Sequence, residues 1–370
     1  MTADRNPSDA ERKPFAVALT ADFFDSGGRP KYPDVGLSVL DAQPHITQRV
    51  LAEHRERIGP DQIAGVQGVI VLTPTVTAET VSQADNLLAI GRFGVGYDGV
   101  DVDACTRADV AVLIAAGAVD RSVAEATVGW MIALGHHLRV KDQLVRSGQW
   151  DQRSRYMGSE LRDRVLGVIG LGGIARATIE LLRPFGMQPT RAYDPFADPA
   201  AAARLGVQLV ALDELLQTAD FVSIHCPLNA QTRGLIDQRE LALMKPSAYL
   251  INTARGGIVE EDALYVALRQ EQIAGAAIDC FVNEPLTAPH RFGELENVLL
   301  APHSIAWTHE LFRDIGRAAC QSMVDLSLGR RPNGIVNPAV LEHAGFQAKW
   351  QRLCGARPAH GPAVAARGSA

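Results

Sequence analysis

At 370 residues with 47% apolar content, the chain is long enough for two packed domains and too apolar for disorder to be the default reading. A net charge of −6 with both signs interspersed gives no basic footprint for nucleic acid and no polybasic membrane anchor. No apolar run reaches spanning length, MTADRNPSDAERK lacks a signal-peptide core, and Cys105, Cys226, Cys280, Cys320 and Cys354 show no Cys-x-x-Cys spacing, so a cytoplasmic protein with reduced thiols and no metal site is expected.

In chain order, FAVALT (15–20), GVIVL (68–72), LLAIGRF (87–93) and VAVLI (110–114) read as buried strands. Helix-compatible stretches lie between them at 77–84 and 101–108, an alternation that argues for a parallel sheet. A long helix is expected from Ser122, with Ser122 as N-cap, Glu125 closing a capping box and Gly148 as its stop. From Val165 the alternation resumes. Strands are expected at 165–170, 188–193, 221–226, 248–254, 274–280 and 298–303, with helices at 174–182 and 261–270 among them. This is the pattern of a doubly wound, Rossmann-like domain. Residues 308–329 form a further amphipathic helix, and residues 346–370 are expected to be a disordered tail.

Two sets of residues carry chemistry. Gly170-Leu-Gly172-Gly173-Ile-Ala175 lies between an apolar strand and an apolar helix. There Gly170 permits a tight turn, Gly172 lets the backbone approach a pyrophosphate, and Ala175 allows close helix packing. Asp194 follows at the end of the next strand, about 24 residues on, near the spacing of an acid that binds the adenosine ribose. Its charge favours NAD over NADP, although Arg191 stands close enough in sequence to be recruited to a 2′-phosphate. The second set is Arg255, Asp279, Glu284 and His303, at or just after the C-terminal ends of consecutive strands, where open α/β sheets bind ligands. Singly, each has an ordinary explanation as a surface ion pair, a loop acid or a capping histidine. Together they supply an anion anchor, a proton donor and a group that orients the donor, as a carbonyl reductase requires.

The segments 91–112, 122–134, 166–176 (LGVIGLGGIAR), 225–237, 252–264 (NTARGGIVEEDAL), 277–285 (AIDCFVNEP) and 301–310 (APHSIAWTHE) resemble the D-isomer-specific 2-hydroxyacid dehydrogenase family, in order, over roughly residues 65–338. The resemblance implies an NAD-dependent oxidoreductase that interconverts a small 2-oxo acid and a D-2-hydroxy acid. It makes Arg255 the carboxylate anchor, His303 the acid/base and Glu284 the carboxylate that holds the imidazole. Asp279 would contact the nicotinamide carboxamide. Gly173 and Ile174 would lie over the pyrophosphate, and Cys226, Thr253 and Ala254 would line the cofactor. Gly94, Val95 and Gly96 would offer amides to the substrate carboxylate.

The family architecture implies a Rossmann-like NAD domain (119–307) inserted into a flavodoxin-like substrate domain (1–118 and 308–345), with the Ser122 helix in a homodimer contact. The chain departs from the family pattern at Trp307, where small residues are usual; it either packs at a domain edge or walls the substrate pocket. The C-terminal regulatory domain of many phosphoglycerate dehydrogenases has no counterpart here, which counts against that substrate in particular. The alternatives are a phosphite or phosphorylated-acid dehydrogenase, and a non-catalytic NADH-sensing protein of the same fold.

Overall fold

The computed structural model describes residues 12–355. These fall into two compact units, one containing the chain up to Val119 and again from Thr308, the other Asp120–Trp307.

In the first unit, β1 (Phe15–Leu19), the short α1 (Ser38–Asp41), β2 (Ile46–Val50), β3 (Gly68–Val71), β4 (Ala89–Arg92), α2 (Val102–Arg107) and β5 (Ala111–Ile114) follow in order. The five strands are all parallel, in the order β2-β1-β3-β4-β5, the flavodoxin-like arrangement. β3, β4 and the edge strand β5 are buried almost throughout, which is why they read clearly as apolar runs. β2 lies at the edge with most of ITQRV exposed, so no apolar run announces it. Asp101 caps α2 by accepting the Ala104 N–H at 2.9 Å.

The helix expected at 77–84 is instead a run of turns. Thr80 explains the difference: its hydroxyl donates to the Ile58 carbonyl at 2.6 Å and accepts the Thr77 N–H at 3.0 Å, committing the segment to local side-chain bonds.

The second unit opens with α3 (Asp120–Gly135) and α4 (Leu138–Arg146). The helix starts two residues before the expected cap, so Ser122 lies inside its first turn and Glu125 pairs with Arg121 at 3.1 Å instead of capping. It also breaks before Gly148. The Ser159 N–H takes the Gly135 carbonyl at 2.7 Å, and His137 turns left-handed at φ 52°.

Then come β6 (Leu166–Ile169), α5 (Gly173–Leu182), β7 (Arg191–Tyr193), α6 (Pro199–Arg204), β8 (Gln208–Leu209), α7 (Leu212–Thr218), β9 (Phe221–Ile224), α8 (Gln238–Leu243), β10 (Tyr249–Asn252), α9 (Glu261–Arg269), β11 (Gly275–Ile278) and β12 (Val298–Leu300). The seven strands are parallel in the order β12-β11-β10-β9-β6-β7-β8. The order reverses between β6 and β9, creating the crevice where doubly wound sheets take their ligands. Apolar clusters cover both faces of this sheet, one built on Val222, Leu250 and Ala276, the other on Val168, Ile251 and Ala277. The chain therefore contains two parallel-sheet α/β domains.

The first unit is completed by α10 (His309–Ser327), capped by Thr308, and by α11 (Ala344–Cys354). α11 corrects the expected disorder from residue 346. Phe346 and Trp350 are buried, and the Trp350 indole donates to the Leu326 carbonyl at 2.7 Å. The Lys349 ammonium lies within hydrogen-bond distance of the carbonyls of Ala84, Leu87, Ala108 and Asp109. Two aromatic anchors and one partly buried cation hold a segment with little periodicity. Residues 356–370 of the expected tail lie outside the described residues.

Candidate active site

β6 ends in the glycine-rich turn, at the point where the strand order reverses. Gly170 takes φ 91°, and a Cβ there would lie 2.8 Å from the Cys226 nitrogen, so only glycine closes this turn. The turn is fastened to β7. The Gly170 N–H donates to the Tyr193 carbonyl at 2.9 Å and the Leu171 N–H to Asp194 Oδ2 at 2.8 Å. Asp194 Oδ1 accepts the Phe196 N–H at 2.9 Å. Asp194 thus positions the loop, a role that sequence spacing alone did not indicate. Arg191 pairs with Glu214 at 3.4 Å. Cys226 sits half-buried beside the turn, its thiol pushed up to about 11 by burial, with the Asp194 charge adding to the effect, so it stays neutral.

The strand ends to one side carry the second set. Asn252, the last residue of β10, accepts the Ala254 N–H at 3.0 Å and donates to the Arg255 carbonyl at 2.8 Å. This buried amide shapes the turn that presents Arg255. Sequence reasoning missed it; the signal was a polar residue closing a strand that is otherwise wholly apolar. The Arg255 guanidinium donates to the Ala254 carbonyl at 2.6 Å.

Asp279 follows β11 and is 4% exposed. Its carboxylate accepts the N–H groups of Ser304, at 2.9 Å, and Ile305, at 3.2 Å, and its carbonyl accepts the His303 N–H at 2.8 Å. Burial raises its carboxyl above the usual range despite these bonds. Asp279 therefore holds the turn that carries His303, which itself adopts a left-handed φ of 53°.

His303 Nδ1 and Glu284 Oε2 lie 2.6 Å apart. Glu284 Oε1 accepts the Phe281 N–H at 2.7 Å. Burial alone would raise the Glu284 carboxyl. The bonds from His303 and Phe281 and the nearby charges of His303 and Arg255 outweigh it and hold the group below its ordinary value.

Arg255, Asp279, Glu284 and His303 are thus gathered at the ends of β10, β11 and β12. Thr253 and Ala254 lie in the same turn. Trp307, four residues past His303, is 54% exposed. Gly94, Val95 and Gly96 belong to the other unit, where they follow β4 with partial exposure and the Gly94 carbonyl accepts the Ala115 N–H at 2.8 Å.

A dinucleotide fits the residues around the glycine turn. The position of a Cβ on Gly172 faces open space, so the backbone there is approachable. α5, ten residues long, begins at Gly173 and directs its first N–H groups beyond its N-terminus. Thr253 Oγ1 is buried without a hydrogen-bond partner, a polar atom whose environment is incomplete in the protein alone.

The comparisons with known proteins agree with this geometry. Residues 128–304 match the model of the D-isomer specific 2-hydroxyacid dehydrogenase, NAD binding domain. Over 249 residues the chain is 43% identical to the (S)-sulfolactate dehydrogenase of Chromohalobacter salexigens, spanning 67% of this chain and 80% of that protein. This chain belongs to the D-isomer-specific 2-hydroxyacid dehydrogenase family. It is also 36% identical over 327 residues to the D-3-phosphoglycerate dehydrogenase of Rattus norvegicus. That match spans 88% of this chain but only 59% of the rat protein's length. Among solved structures, a glyoxylate reductase from Paecilomyes thermophila is similar at 26% identity and a TM-score of 0.74, covering 88% of this chain and 99% of that one. Residues 128–304 are accordingly the family's NAD-binding domain, and among the described residues no helix is long and apolar enough to cross a membrane.

Proposed function

We propose that this protein is an NAD-dependent oxidoreductase that interconverts a small 2-oxo acid and the corresponding D-2-hydroxy acid. The observation that carries the reading is the 2.6 Å contact between His303 Nδ1 and Glu284 Oε2 at the strand ends of an NAD-binding domain. With Nδ1 committed to Glu284, Nε2 is the ring nitrogen left to face a substrate oxygen. Bound NADH supplies the hydride that the carbonyl carbon accepts. The His303 imidazolium delivers the matching proton from Nε2 to the carbonyl oxygen, and in the reverse direction the neutral ring takes it back. Glu284 engages Nδ1 and fixes the orientation of the ring. The Arg255 fork suits a planar carboxylate and polarises the adjacent carbonyl.

In the cofactor site, Gly170, Gly172, Gly173 and Ile174 admit and bind the pyrophosphate, and Asp194 accepts from the adenosine ribose. Cys226, Thr253, Ala254 and Asp279 line the remainder. The pairing of Arg191 with Glu214 supports NAD over NADP, since that guanidinium is engaged elsewhere. Residues 1–118 and 308–345 form the substrate domain, contributing the amides of Gly94, Val95 and Gly96, and residues 119–307 form the NAD domain. The chain works in the cytoplasm as a homodimer that uses α3, as the family architecture suggests.

The (S)-sulfolactate dehydrogenase relative favours one substrate group in particular, three-carbon 2-oxo acids with a second anionic group. NADH oxidation is to be followed with glyoxylate, pyruvate, hydroxypyruvate, 3-phosphohydroxypyruvate and 3-sulfopyruvate, with the chirality of the product determined. Turnover of at least one to a single hydroxy-acid enantiomer is expected. NADH binding without turnover of any would make the protein a sensor instead of an enzyme.

A further inference from the structure

The five cysteines have no metal-ligand spacing, yet the fold brings one of them to the histidine–glutamate pair. Cys280, Glu284 and His303 each offer a ligand atom, and the three atoms lie within 4.8 Å of one another. Cys280 is buried, directly after Asp279, and its thiol donates to the Ala254 carbonyl at 3.4 Å. Glu284 and His303 are partly exposed, so the cluster is open on their side.

A sulfur, an imidazole nitrogen and a carboxylate oxygen make up the donor set of a borderline-soft divalent cation, whereas Mg²⁺ or Ca²⁺ would require an oxygen cage. Around a tetrahedral Zn²⁺, with bonds of about 2.0–2.3 Å, such donors stand about 3.3–3.6 Å apart. The present spacings bracket that value, with Nδ1 and Oε2 closer at 2.6 Å and the full set within 4.8 Å. Glu284 and His303, both partly exposed, are the side chains that would turn to reach it. Charge also permits it. A thiolate and the Glu284 carboxylate, which is held below its ordinary value, together match the two charges of the ion.

We propose that Cys280, Glu284 and His303 form a binding site for a Zn²⁺-like thiophilic divalent cation, and that its occupancy switches the enzyme off. Coordination releases the Cys280 thiol proton to solvent and removes the His303–Glu284 pair from proton transfer. The inhibitory half of the proposal rests on the acid/base role of His303. The binding half does not.

Two readouts keep these apart. Co²⁺, used as a spectroscopic probe of the full-length protein, should bind at one per chain with a thiolate-to-cobalt charge-transfer band, and Zn²⁺ should displace it. Cys280→Ala should abolish that band and raise the Zn²⁺ concentration for half-inhibition by about 100-fold or more, since losing a ligand exceeds the 10–100-fold cost of a lost supporting contact. Uninhibited turnover of Cys280→Ala should stay near that of the unmodified protein, and a chelator should restore the Zn²⁺-treated protein while Mg²⁺ leaves it unaffected. Should Cys280→Ala fold poorly, Cys280→Ser keeps the size of the side chain and should weaken binding in the same direction. A cobalt band that persists unchanged in either variant, or none in the unmodified protein, overturns the site. A cobalt band without inhibition of a turning-over enzyme overturns the switch. A cobalt band in a protein that turns over no 2-oxo acid upholds the site and refutes the acid/base reading on which the switch depends.

Discussion

The Leu171 N–H donates to Asp194 at 2.8 Å, so the acid proposed to meet the adenosine ribose also fastens the glycine turn. On the proposed reading, one carboxylate both binds the cofactor and shapes its binding loop. Asp194→Ala should therefore weaken NADH binding and narrow its advantage over NADPH at once. Titration of both nucleotides into the purified variant checks this. If the unmodified protein used NADPH as efficiently as NADH, the discriminating role of Asp194 would be wrong.

Arg255 presents a planar fork from the turn set by Asn252. Lys keeps the charge and loses the fork. Arg255→Lys should cut kcat/KM for 2-oxo acid reduction by about tenfold or more, equivalent to about 1.4 kcal/mol of transition-state stabilisation. Near-normal kinetics would remove Arg255 as the anchor.

Trp307 is 54% exposed and lies four residues past His303. Trp307→Ala should improve bulky 2-oxo acids relative to glyoxylate by about 1–3 kcal/mol of discrimination. An unchanged substrate ranking in a folded variant would take Trp307 out of the pocket.

Trp350 is 2% exposed and anchors α11 through its ring and its indole N–H. Trp350→Ala should destabilise the unit containing β1–β5 by about 3–5 kcal/mol. Denaturant unfolding measures this; a loss below about 1 kcal/mol would mean that α11 contributes little.

Both parallel sheets were legible because a strand buried on two faces is an apolar run, as in Val222, Leu250 and Ala276 with their neighbours. β2 and β8 were not, since both are largely exposed and need no such run. The segment 77–84 has helical periodicity, but Thr80 diverts its backbone, and such a long-range bond to Ile58 leaves no local trace. The tail was misread for a related reason: Lys349 is a surface residue by type and becomes an internal tie only because four carbonyls converge on it. In the site, Arg255, Glu284 and His303 stood out as reactive groups at strand ends. The supporting role of Asn252, the grip of Asp279 on the 303–305 turn and the approach of Cys280 needed the folded backbone, since each depends on how neighbouring strand-end loops meet.

The central claim is that His303, held by Glu284, is the acid of reduction, and kcat/KM of variants at the two positions tests it most directly. The Glu284 carboxyl is held below its ordinary value of 4.5. It therefore remains ionised throughout the neutral range, and the stabilisation from the pair is present above that ordinary value and lost only as pH falls through the lowered one. Glu284→Gln keeps the shape and removes the negative charge beside the ring, so kcat/KM for reduction should fall by about tenfold or more. His303→Ala should lose about 10²–10⁴-fold of the rate. An unchanged kcat/KM in Glu284→Gln, or a His303→Ala variant of nearly full activity, would contradict the account.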